Sequence, residues 1–123
     1  MATFGDVRRI ALALPDVSAN DAGTEFRVDG KLFAHPWLER LDPKKARVPN
    51  LGVLVVRIAS ESDKDVLISM DPSVFFTERH FDGYASIHVR LAAVTEPLLR
   101  QLLEDAWRTR APGRLLTAGP PDA

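Results

Sequence analysis

The sequence predicts an α+β domain, a single antiparallel sheet with helices packed on one face, in the order α-β-β-β-α-β-β-α. Three stretches carry this expectation. Thr24–His35 (TEFRVDGKLFAH) reads as a tight hairpin, because Asp29-Gly30 suits a two-residue turn whose central positions both take positive φ. Gly52–Ala59 (GVLVVRIA) is nearly all apolar and β-branched, the composition of a strand covered on both faces. Leu98, Leu99, Leu102, Leu103, Ala106 and Trp107 recur at helical spacing and form the widest apolar stripe in the chain. A sheet and amphipathic helices of this kind bury their apolar sides against one another in two layers.

Each element has a local reason. Thr3 followed by Asp6 has capping-box spacing, and Phe4, Val7, Ile10, Ala11 and Leu14 then form the inner stripe of a first helix that Pro15 stops. Asp16–Gly23 reads as a polar loop into the hairpin. The turn sets an expected register of Val28 opposite Lys31, Arg27 opposite Leu32 and Phe26 opposite Phe33. Residues 36–50 hold three prolines and the cations Arg40, Lys44, Lys45 and Arg47, and read as a long connection with at most a helical turn or a short edge strand. Ser60 and Asp63 again have capping-box spacing, with Val66, Leu67 and Met70 as the inner stripe of a second helix ended by Asp71-Pro72. Val74–Glu78 and Ser86–Leu91 read as a second hairpin around Asp82-Gly83, with Ile87, Val89 and Leu91 on one side and Ser86, His88 and Arg90 on the other. Thr95 caps the last helix, Pro97 sits in its first turn, and Ala111-Pro112-Gly113 breaks it. The reading is one domain over residues 1–116 and a disordered tail over 117–123.

Composition narrows the function classes. The chain has 123 residues, enough for one domain with a real core. Sixteen Lys and Arg against 17 Asp and Glu leave a net charge of −1, whereas nucleic-acid binding driven by bulk charge usually comes with a basic domain. The absence of cysteine removes disulfides, thiolate catalysis and Cys-based zinc sites. No apolar run reaches the ~20 residues that span a bilayer. The N-terminus lacks a basic segment followed by a continuous apolar one, so no signal peptide and a cytoplasmic location are expected.

The pattern F-R-V-x-G-K-x-F-A at Phe26–Ala34 and A-W-R-x-x-A-P at Ala106–Pro112, with an N-terminal helix ending in LALP and the stretches DPSVFF and GYASIHVRL between, resembles the MmcQ/YjbR family. The resemblance covers nearly the whole chain apart from residues 36–50 and the tail. It implies a CyaY-like fold and the double-wing DNA binding commonly ascribed to the family, an ascription that rests on shape. Many members carry a tryptophan-glycine pair before the first strand, where this chain has Ala22-Gly23.

On that implication the site residues are cations of the two wings: Arg27 and Lys31 on the first hairpin, Lys44, Lys45 and Arg47 after it, and Arg79 and Arg90 on the second. They would contact phosphates rather than read bases. The competing reading is a solvated surface whose charges pair with Asp29, Asp42 and Glu78, with the Lys31 stem covering Phe26 and Phe33. Phe26, Phe33, Phe75, Phe76 and Trp107 read as core rather than as base-stacking platforms. Glu78, His80 and Asp82 alternate, and His88 could join them as metal ligands, but a turn at Asp82-Gly83 breaks that alignment, so no metal is expected. No nucleophile elbow, phosphate-binding glycine loop or Walker lysine is present, and His35 reads as a structural edge residue. His88, Arg90, Arg27 and Arg57 together would make an open sheet face positive. The reading is a non-catalytic protein with double-stranded DNA as partner, no cofactor and no membrane contact. The alternative is a protein- or small-ligand-binding module using the open sheet face and the 36–50 loop.

Overall fold

A computed structural model describes residues 1–118. Helix α1 (Phe4–Leu12) begins with the expected cap: the Asp6 N–H donates to the Thr3 hydroxyl at 3.3 Å, and the Thr3 N–H donates to Asp6 Oδ2 at 2.9 Å. Those bonds satisfy two N–H groups the helix leaves unpaired. The Thr3 backbone bond, followed by Arg9, holds the Asp6 carboxyl below its ordinary range. Phe4, Val7, Ile10 and Ala11 are buried as the stripe requires, and Arg9 crosses to Glu96 at the start of the last long helix.

The sheet has six strands: β1 (Val17–Ala19), β2 (Phe26–Val28), β3 (Lys31–Glu39), β4 (Val48–Arg57), β5 (Phe75–Phe76) and β6 (Ser86–Arg90). Their spatial order is β1-β2-β3-β4-β6-β5, antiparallel throughout. The α+β class and the single antiparallel sheet therefore hold, with an additional edge strand, β1, inside the expected polar loop. That strand pairs Val17 with Val28 and Ala19 with Phe26. Asn20 Oδ1 ties the following bend by accepting from the Thr24 and Glu25 N–H groups at 2.8 and 2.9 Å. Three residues held by backbone pairing leave no periodicity to detect.

The hairpin at Asp29-Gly30 is present. Both residues take positive φ, 54° and 73°, as the turn requires. The register starts as expected, Val28 opposite Lys31 and Arg27 opposite Leu32, and then slips, so that Phe26 faces Ala34 and Phe33 is the extra residue of a bulge. Phe26, Val28 and Phe33 are still all buried, whereas Lys31 is exposed.

Residues 36–50 differ most from expectation. Strand β3 runs through Pro36 to Glu39, and β4 starts at Val48, leaving residues 40–47 as the connection. The prolines are accommodated because a second register shift falls between Pro36 and Trp37, and because Pro49 lies on the outer part of the ribbon, opposite Leu38. A proline lacks the N–H a ladder needs and is tolerated where the ladder is already interrupted or at an edge.

Cross-strand rows define two faces. Ala34, Val56 and Ile87 form one row, and Pro36, Leu54, Val89 and Phe75 the next. Helices α1 and α3 (Glu96–Arg110) bury this face in one core with Phe26, Leu99, Leu103 and Trp107. Thr95 caps α3 by accepting from the Leu98 N–H, and the Trp107 indole donates to the Pro15 carbonyl at 3.0 Å. Helix α2 (Asp63–Met70) is capped from Ser62 without a side-chain bond, and Val66 and Met70 are exposed. Its buried residue is Lys64, so the expected inner stripe holds only for the partly buried Leu67. After Pro112 the chain re-enters a helix, α4 (Gly113–Ala118), which seats Leu115 against the core. Of the tail expected over 117–123, Thr117 and Ala118 belong to α4, and 119–123 lie outside the described residues. Among the described residues no helix is long and apolar enough to cross a membrane.

Candidate functional site

The face of the sheet turned away from α1 and α3 carries the chemistry. Alternation puts His35, Val55, His88 and Phe76 in one row across it, with Arg57 opposite Ser86 and Val53 opposite Arg90 beside that row. This face is not open at His88, contrary to the sequence reading. The register shift after Pro36 brings Trp37 over the row, with its ring 5.5 Å from His88 and 5.6 Å from Phe76. Phe81, on a short 3₁₀ helix (Arg79–Phe81) between β5 and β6, closes the other side edge-on at 4.6 Å from His88. His88 is fully buried and neither ring nitrogen has a hydrogen-bond partner. Burial first, and then the His35 and Lys64 charges, push its pKa down to about 4 against the opposing pull of Glu78. His88 is therefore a neutral member of an aromatic cluster at pH 7. Phe76, expected in the helix-side core, belongs to this cluster.

The segment that closes the cluster is anchored by polar contacts. Buried Lys64 donates to the Phe81 carbonyl, and the Gly83 N–H donates to Glu61. Arg47 donates to the Leu38 carbonyl at 3.0 Å and approaches His80 Nε2 at 3.2 Å. A guanidinium only donates, so His80 Nε2 accepts and its Nδ1 carries the proton, which it gives to Glu78 at 2.9 Å. That bond is the main reason the Glu78 carboxyl is held below its ordinary range.

Beside the cluster lies a cleft of about 460 Å³. Leu32, Val55 and Phe81 give it apolar walls, with Tyr84 and Ser86 adding hydroxyls. The charged and titratable groups that line it are Arg47, Arg57, Arg110, His35 and His80, with no aspartate or glutamate among the lining residues. Arg57 and Arg110 are half-buried, and the Nε of each is buried without a hydrogen-bond partner. Burial and the neighbouring Arg110 charge lower the affinity of Arg57 for its proton. His35 donates from Nδ1 to the Pro36 carbonyl at 2.8 Å.

The seven cations expected as wing contacts stand in different local settings. Arg27 is half-buried and paired with Glu25 at 3.2 Å. Arg47 lines the cleft. Arg90 lies over the Phe76 ring at 4.2 Å and donates to the Pro72 carbonyl. Lys31, Lys44, Lys45 and Arg79 are exposed. Strand direction puts Lys31 and the 77–85 connection at one end of the sheet, and Lys44 and Lys45 at the tip of the β3–β4 ribbon. Glu78 and His80 pair, but among the described residues no group of three or more acidic or histidine side chains could hold a metal ion. Arg57 and Arg110 are the cleft residues that sequence reading placed least well. Arg57 had one signal, a cation inside an otherwise apolar strand. Arg110 had none, since a cation in the last turn of a helix is explained by the helix dipole.

Comparison with known proteins bears on the family. Residues 12–109 match the family model described as YjbR. Uncharacterized proteins of Mycobacterium tuberculosis and Mycobacterium bovis are each 37% identical to the chain over 124 residues, covering 96% of it and 95% of the relative. No solved structure matches.

Proposed function

We propose that this chain, which belongs to the YjbR family, is a non-catalytic binding protein that takes a small molecule into the cleft between the second sheet face, the β3–β4 ribbon and the 77–85 connection. The observation that carries this reading is the cleft itself, about 460 Å³ with apolar walls and a few convergent polar groups. Sites for small molecules have this size and make-up, and their polar groups fix orientation while apolar area supplies affinity. A second opening, of about 700 Å³, lies between α2 and α3, but there Asp63 and Asp105 stand beside Arg57 and Arg108, so its cations already have carboxylates for neighbours. Chemical-shift mapping of the ¹⁵N-labelled protein against a mixture of small aromatic and aliphatic fragments tests the reading. Shifts concentrated on Leu32, His35, Tyr84 and Ser86, and weakened by Tyr84→Ala, are expected. Shifts scattered over the surface contradict it.

Duplex DNA is the second reading, favoured by the exposed side chains of Lys31, Lys44, Lys45 and Arg79. Phosphate contacts by these groups give binding that weakens steeply as salt rises, because each releases condensed counterions. A gel-shift titration at two salt concentrations, with the four residues changed to alanine, separates the readings. Salt-insensitive or absent binding removes DNA.

A further inference from the structure

We infer that the cleft selects an organic anion, a carboxylate or phosphate carried on an apolar body, and that Arg57 and Arg110 grip the anionic group. This rests on the reading of the cleft as a binding site and names the ligand's chemical class. Arg9, Arg27, Arg100, Arg108 and Arg114 each have a carboxylate within 4.0 Å. Among the described residues Arg8, Arg40, Arg47 and Arg90 donate instead to backbone carbonyls, and Arg79 is exposed. Arg57 and Arg110, by contrast, have no carboxylate within that distance, are close enough to repel each other, and hold Nε atoms shielded from water without a partner. A guanidinium Nε–H removed from water without an acceptor is costly, and two like charges side by side add to that cost. An anion entering between them relieves both at once.

The rest of the lining agrees. Arg47 adds a third guanidinium, already oriented by the Leu38 carbonyl and His80. The nearest acid of the Arg47–His80 chain, Glu78, is engaged by His80 and is not among the lining residues. An arginine presents a planar fork of donors that matches the oxygens of a carboxylate or a phosphate. Leu32, Val55 and Phe81 leave an apolar wall for the remainder of the ligand, so a bare inorganic ion would fill only part of the space. Duplex DNA does not meet this requirement, because a phosphate of the double helix has no apolar body to insert beside it.

The test uses the whole chain and four probes: phenyl phosphate, benzoate, inorganic phosphate and benzyl alcohol. Arginine Nε–Hε resonances report on the grip, calorimetric titration on affinity, and thermal melting on structure. Phenyl phosphate or benzoate is expected to move the Arg57 and Arg110 Nε–Hε signals. Arg57→Met and Arg110→Met should each weaken that probe by about ten- to hundredfold, the loss of one or two charge-assisted hydrogen bonds. Arg108→Met, outside the cleft, should leave it unchanged. Neither cleft variant should melt below the wild type. Benzyl alcohol binding as tightly as phenyl phosphate, unaffected by the arginine variants, overturns the anion and leaves the cleft as a site for neutral ligands. Inorganic phosphate moving both arginines as strongly as phenyl phosphate keeps the grip and overturns the ligand cleft. Variants that melt lower while binding is unchanged make the arginines structural and overturn the inference. No shift at millimolar concentration of any probe overturns both.

Discussion

The two faces of the sheet are built from the same six strands to opposite ends. The helix-side face is apolar, and Phe26, Leu54, Ile87, Leu103 and Trp107 fill it without a buried unpaired side-chain atom. The other face holds Trp37, His88 and Arg57, with Arg110 at the cleft beside it. These four residues account for all the buried side-chain polar atoms that lack a partner among the described residues. Native interiors satisfy nearly all such atoms, so a cluster of exceptions on one side points to a requirement other than stability. One face holds the fold together, and the other carries the unpaired polar groups.

The comparison breaks most readily on the helix side. Trp107 is fully buried and donates to Pro15, so Trp107→Ala should cost about 3–5 kcal/mol, read by denaturant unfolding. A loss as small as that of a surface change would mean that this face is not the core.

His88 sharpens the contrast. Unfolded, its ring takes a proton near 6.5, and folded it resists until about 4, so between those values acid favours the unfolded chain. Its contribution is complete above the unfolded pKa and declines as pH falls towards 4, by about 3 kcal/mol in all. His88→Phe keeps a flat aromatic side chain, one ring atom larger, and removes two unsatisfied nitrogens. The variant should be at least as stable as the wild type at pH 7 and should lose less stability between pH 7 and 4. Glu78 and Asp6, both held below their ordinary values, add acid sensitivity of the same sign at lower pH in both proteins.

Smaller effects are expected at the turn that feeds both faces and at the exposed cations. Gly30 has φ +73° and open space around an added Cβ, so Gly30→Ala should cost about 1–2 kcal/mol from backbone conformation alone. Lys31→Ala should change stability by less than about 0.5 kcal/mol, because Lys31 is exposed. A larger loss would restore a role for its stem over Phe26 and Phe33. Thermal melting measures both.

The sequence made the helix-side architecture legible because local and global signals agree there. The Thr3 cap, the Asp29-Gly30 turn, the β-branched run of β4 and the α3 stripe each point to the structure observed. The second face was harder to read for physical reasons. Trp37 reaches His88 only because the register of the β3–β4 ribbon shifts after Pro36, and such an irregularity has no composition of its own. Prolines at 36 and 49 argue against strands unless the ladder is known to be interrupted beside them. Arg57 and Arg110 are 53 positions apart and meet only through packing. Charges sought on wing tips were visible in the sequence, and charges converging in a cleft were not.

Thermal melting of the wild type and the Arg57→Met/Arg110→Met double variant, each with and without phenyl phosphate, tests the central claim most directly. The variant is expected to melt at or above the wild type without the probe, and the probe to raise only the wild type, since binding to the folded state alone stabilises it. A variant that melts lower on its own, and rises with the probe as much as the wild type does, would contradict that claim.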